Sequence, residues 1–138
     1  MINIQAMHTT ENFSKDYEAI INTVQQYIEG SRRGKSEVMH SSFHPDATIV
    51  GFFGGGLVSG HIQKLFGLID GNGPAPEIEP SFTGIDIMET IAVVRLEVRY
   101  WSGEVIGPDP RTMSDLFNLI KTGSEWKITH KMFHLHIP

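Results

Sequence analysis

The sequence predicts an α+β fold: a helical half followed by a meander of long strands. Three observations carry it. An apolar stripe at helical spacing runs through Phe13, Tyr17, Ile20, Ile21, Val24, Tyr27 and Ile28. Residues 91–101 alternate, with Ala92, Val94, Leu96, Val98 and Tyr100 on one face and Val93, Arg95, Glu97, Arg99 and Trp101 on the other. The chain closes on two strand-like runs, Thr112–Lys121 and Trp126–His136, joined by a turn containing Gly123. Helices gathered ahead of consecutive strands imply an antiparallel sheet with helices on one face. Such a sheet twists strongly, and the gap beneath its helices is a natural pocket.

Each element has its own signal. Residues 1–12 carry no clear period and form either a flexible arm or a segment packed on the body. Ser14 is placed to cap the first helix and Gly30 to end it. A short second helix is predicted over 35–43, stopped by Pro45. The β-branched and aromatic run 47–53 predicts a strand. Gly54-Gly55-Gly56 then turns the chain into a brief return strand, 57–59. These glycines lack the Lys-Ser/Thr of a phosphate cradle. Ser59 and Gly60 open a third helix, with Ile62, Leu65, Phe66 and Ile69 on one face. A Gly/Pro loop covers 71–76 and a strand runs over 81–88. Glu89-Thr90 turns into the long strand, and a loop spans 103–110.

The totals fit one domain over 1–138 with one core, at 40% apolar and 20% charged residues. A net charge of −5 and the lack of a basic patch argue against nucleic acid. With no cysteine there is no disulfide or thiolate chemistry. No leader pattern and no membrane-length apolar run is visible, so a cytoplasmic protein is expected.

Phe43-His44-Pro45-Asp46-Ala47 and the ending Asp115 to Lys121, Trp126-Lys127-Ile128 and Lys131-Met132-Phe133-His134 resemble the nuclear transport factor 2-like (cystatin-like, SnoaL-like) superfamily. Within it they are most similar to the branch described as "Putative lumazine-binding". The resemblance covers about Phe13 to His134. It implies a cone-shaped, strongly curved antiparallel sheet with three helices from the N-terminal half on its concave face. It also implies a homodimer packed through the sheet and an interior pocket for a small apolar molecule. Superfamily relatives include isomerases, dehydratases and cyclases, and fold membership alone does not select a reaction.

Asp115 and His130 are the candidate catalytic pair. Asp115 is a carboxylate inside an otherwise apolar strand, where Asp is disfavoured, and desolvation would suit it to general-base work. Its structural alternative is a buried hydrogen bond to a helix, or an ion pair with Arg95 or Arg99. His130, His134 and His136 share strand parity with Trp126, Ile128 and Met132, which places His130 inward or toward the pocket; a bulge or the edge of the helices can change the face toward His136. Hairpin arithmetic sets Asp115 and His130 at similar distances from Gly123. Candidate pocket residues are His40, Phe52, Phe66, Tyr100, Phe117 and His134. Asp46 reads as a turn residue. The three C-terminal histidines lack spacing that demands zinc, so no metal and no cofactor is expected.

Three functions stay open. One is a binding pocket for an apolar or aromatic ligand. Another is an enzyme of isomerase, dehydratase or cyclase type, with Asp115 or His130 removing a proton next to a carbonyl. The third is a dimerisation module with a filled core and Asp115 locked in an ion pair. The homodimer is expected through the outer sheet face bearing Arg95, Arg99 and Trp101.

Overall fold

A computed structural model describes residues 4–138, with side chains from residue 13 onward. Helix α1 spans Ile4–Arg33. Two 3-10 turns follow, Ser36–Val38 and His40–Ser42. Then come β1 (Phe43–Phe53), β2 (Gly56–His61), α2 (Gln63–Asn72), β3 (Glu79–Met88), β4 (Ile91–Gly103), β5 (Gly107–Thr122) and β6 (Glu125–Leu135). The strands form one curved, open sheet in the order β2-β1-β6-β5-β4-β3. This is the α+β architecture expected, with three corrections. Two α-helices are present among the described residues rather than three, because 35–43 makes only 3-10 turns and the start of β1. The sheet is mixed, since β1 runs parallel to β6 while all other neighbours are antiparallel. Of the candidate arm, residues 1–3 lie outside the described residues and the rest belongs to α1.

Helix α1 runs past both predicted ends. Ser14 lies within it and caps nothing. The stop comes at Gly34, whose φ of 67° suits glycine. The Lys35 N–H donates to the Gly30 carbonyl at 2.9 Å and the Gly34 N–H to the Ser31 carbonyl at 3.3 Å. That pair of bonds is a Schellman closure. Ile20, Val24, Tyr27 and Ile28 are buried, whereas Phe13 and Tyr17 stack on each other at the exposed edge. Polar ties fix the helix on the sheet. Thr23 Oγ1 donates to the Trp126 carbonyl at 3.1 Å, and Trp126 Nε1 donates to Asp16 Oδ1 at 3.0 Å.

Inward residues of β4, β5 and β6 join α1 and α2 in a single core. Two bulges decide which residues those are. In β4 the register shifts between Val98 and Trp101, with Tyr100 at φ 60°. In β6 it shifts between Ile128 and His130, both opposite successive residues of β5. Each bulge adds one residue and reverses the alternation beyond it. Trp101 therefore turns into the core and Tyr100 out of it, opposite to the predicted parity.

Candidate functional site

A narrow cavity lies between α1, α2 and the inner face of the sheet. Its buried wall is Tyr27, Ile49, Leu65, Ile69, Trp101, Met113, Lys131 and Phe133, and Phe53, Leu68 and Val105 stand at its part-exposed rim. The space between these walls, open solvent at the mouth included, is about 340 Å³. It is slender, with room for about one water molecule.

Local chain geometry sets each polar group on this wall. Tyr27 comes from the buried stripe of α1. Lys131 is brought inside by the β6 bulge, which leaves it 1% exposed. Its Nζ lies 2.8 Å from Asp115 Oδ1. The approach is an ion contact rather than an aligned hydrogen bond. Three rings surround the ammonium, with centroids at 4.5 Å (Phe133), 5.2 Å (Tyr27) and 5.9 Å (Phe117). The Tyr27 hydroxyl donates to Asp115 Oδ2 at 3.3 Å. Asp115 sits behind Lys131 and Tyr27, which face the cavity themselves.

Burial pushes the Asp115 carboxyl above its ordinary value, against the pull of Lys131 and the Tyr27 hydrogen bond. Burial, followed by the charge and hydrogen bond of Asp115, raises the Tyr27 phenol well above its usual value. Tyr27 thus stays a neutral O–H donor. Asp115 is a carboxylate with a raised tendency to accept a proton, and the nearest donors are an ammonium and a phenol.

The predicted pairing of Asp115 with His130 is not made. Asp115 stands opposite Phe133 on β6, and His130 stands opposite Asn118. The added bulge residue carries His130 to the outer face, where its Nδ1 is 2.7 Å from Thr48 Oγ1. Asp115 is ion-paired, but with Lys131 rather than Arg95 or Arg99.

The expected pocket residues scatter. Phe117 is fully buried and forms part of the wall around the ammonium. Phe52 and Tyr100 are about half exposed on the outer face, and Phe53 and Trp101 take their places inside. His134 points outward and meets His136 edge to face at 4.8 Å. His40 is exposed and packs on Phe66 at 4.3 Å, and neither residue lines the cavity. Asp46 caps nothing with its carboxylate; its N–H donates to His44 Nδ1 at 3.1 Å. Among the described residues no cluster of three metal-ligating side chains occurs. Nor is any helix among them long and apolar enough to cross a membrane.

Lys131 and Trp101 were missed by sequence reasoning. Each sits one residue beyond a point where strand alternation breaks, so simple parity puts both outside. A sign was available for Lys131. It is flanked by Met132 and Phe133 in a strand whose neighbour carries the buried candidate Asp115, and a carboxylate there needs a cation.

Several proteins are similar to this chain. Aldolase FrzH of Cladobotryum sp is 30% identical over 129 residues, spanning 94% of this chain and 96% of that protein. An NTF2-like protein of unknown function from Shewanella baltica OS155 has 31% identity and a TM-score of 0.79, covering 91% of this chain and 98% of that one. Another from Methylobacillus flagellatus KT has 35% identity and a TM-score of 0.79, covering 88% and 93%. A ketosteroid isomerase-like protein from Erwinia carotovora atroseptica shares the fold at 15% identity and a TM-score of 0.69, covering 88% and 96%. The family profile described as "Putative lumazine-binding" matches residues 15–134. With the curved sheet, the long first helix and this match over most of its length, the chain belongs to that family within the nuclear transport factor 2-like superfamily.

Proposed function

We propose that this chain is an enzyme that makes or breaks a carbon–carbon bond beside a carbonyl in a small apolar substrate. The Lys131 amine is the nucleophile. One observation carries the reading: a lysine 1% exposed stands on the wall of an apolar cavity, with a carboxylate at 2.8 Å behind it. A lysine in a hydrophobic pocket forms imines with carbonyl compounds once it has given up its proton, for which Asp115 is the acceptor at hand. The similarity to a protein named an aldolase supports the making or breaking of a carbon–carbon bond.

The steps balance without an oxidant or reductant. Lys131 passes its ammonium proton to Asp115, whose raised pKa favours taking it. The free amine adds to the substrate carbonyl carbon, and the resulting carbinolamine loses water to give an iminium. In the cleavage direction the bond between the α- and β-carbons breaks, and its electrons flow into the iminium to form an enamine. The β-hydroxyl proton leaves as that carbon becomes a carbonyl. Protonation of the enamine and hydrolysis return the amine. Tyr27, held neutral, donates and recovers protons at the nitrogen end.

The test is borohydride trapping with small ketones and aldehydes, read by peptide mass. The expected result is reductive alkylation of Lys131 far above that of the exposed lysines, lost in Lys131→Met and reduced in Asp115→Asn. Labelling spread evenly over surface lysines would sink the proposal.

The slender void and the Asp115–Lys131 ion pair favour a second reading, a dimerisation module without a ligand. In either reading the partner is a second copy, docked through the outer sheet face. Phe52, Val93, Leu116 and Met132 lie exposed there, with Arg95 and Arg99 nearby.

A further inference from the structure

Trp101 is 2% exposed and forms part of the cavity wall, yet its Nε1–H has no partner. Buried donors in folded proteins are almost always paired, and an exception at a cavity points to a ligand. The chain's other indole shows the usual arrangement, with Trp126 Nε1 on Asp16. Trp101 faces inward only because of the bulge at Arg99 and Tyr100, and Tyr100 holds a φ of 60° that aromatic side chains rarely adopt. Strain on one residue and an unpaired donor on the next coincide at the cavity.

No acceptor of the cavity wall lies within hydrogen-bond reach of this N–H. Asn72 is fully engaged: its Oδ1 accepts from the Val105 and Ile106 N–H groups at 3.1 and 2.9 Å, and its Nδ2 donates to the Ser102 carbonyl at 3.0 Å. Lys131 is a donor and is paired with Asp115. The Tyr27 hydroxyl is committed to the same carboxylate.

We infer that Trp101 Nε1–H holds an oxygen atom of the substrate, and that the substrate is a β-hydroxycarbonyl compound or the carbonyl pair from which one is made. The inference rests on the Lys131 reading. The carbonyl that reacts at Lys131 loses its oxygen as water, so an oxygen held by the indole throughout is a second one. In addition it is the oxygen of the acceptor carbonyl, and in cleavage it is the β-oxygen. Donation to that atom stabilises the charge it gains at the bond-making step. The layout fits two anchors around one ring: the Tyr27 centroid is 6.2 Å from that of Trp101 and 5.2 Å from Lys131 Nζ.

Acetophenone and α-methylstyrene test this directly, since both are planar and differ in having oxygen or CH2 at the double bond. Wild type is expected to bind acetophenone about fivefold more tightly, the usual effect of one hydrogen bond. Replacing Trp101 by β-(3-benzothienyl)alanine, which puts sulfur in place of N–H, is expected to abolish the preference and leave α-methylstyrene affinity unchanged. In wild type the Trp101 Nε1–H proton resonance should move downfield with acetophenone only, while that of Trp126 stays. Equal binding of the two compounds, an unmoved Trp101 resonance, or a preference that survives the sulfur isostere overturns the inference and leaves the cavity reading standing. Failure of both compounds to bind overturns the cavity reading along with it. Borohydride labelling of Lys131, run in parallel, reports on the imine chemistry separately.

Discussion

At the scale of single residues the site is a buried ion pair with a phenol attached. Breaking such a pair costs more than the pair contributes, because an uncompensated charge is left inside. Asp115→Asn strands the ammonium and is expected to cost about 3–5 kcal/mol in urea unfolding. The pH dependence has a definite sign. The folded chain keeps the Asp115 proton to higher pH than the unfolded chain, because burial raises its pKa. The resulting stability is full below about pH 4, the unfolded value, and is lost as pH rises through the folded value. Lys131→Met removes the charge and the contact that pull this pKa down, so its loss of stability should extend to higher pH than in wild type. Unfolding midpoints measured across pH check this, and the double variant Asp115→Asn, Lys131→Met should show neither effect.

At the scale of elements, two bulges build the site. Tyr100 is exposed and strained, so glycine at that position relieves the backbone while a β-branched residue worsens it. Tyr100→Gly is expected within about 1 kcal/mol of wild type and Tyr100→Val about 1–2 kcal/mol lower, by chemical denaturation. Gly51 shows the opposite constraint on β1. A Cβ there would overlap the carbonyl and ring of Phe133, so Gly51→Ala should cost about 1–3 kcal/mol. These features also mark where the sequence stopped being legible. Hydrophobic period placed α1 and α2 and the four long strands, and Asp115 stood out as a carboxylate among apolar neighbours. Bulges leave no periodic trace before the fact. Past each one the reading inverted, exchanging Tyr100 for Trp101 and His130 for Lys131. The two-residue turns were readable because Gly54, Gly55 and Gly123 adopt the positive φ that such turns require. The parallel pairing of β1 with β6 was not, since it joins segments far apart in sequence with no local signal.

At the scale of the whole molecule, the sheet divides two tasks between its faces. The inner face holds the lysine cluster, and the outer face carries the exposed apolar side chains on which the dimer proposal rests. Leu116→Lys with Met132→Glu is expected to shift sedimentation from dimer to monomer and leave Lys131 trapping intact; a wild-type monomer at high concentration would remove the dimer proposal. The Asn72 side chain adds a kinetic dimension. It grips the turn between β4 and β5 by three hydrogen bonds, and that turn carries Val105 and Ile106 at the cavity. Glycines at both ends, Gly103 and Gly107, leave the turn able to swing once the grip is released. Passage into so slender a void is then expected to wait on release of this amide, together with the bond from the Glu104 N–H to the Asn72 carbonyl at 3.1 Å. Binding rates should level off as ligand concentration rises, and Asn72→Ala should lift that ceiling while the Val105 and Ile106 amides begin to exchange with solvent.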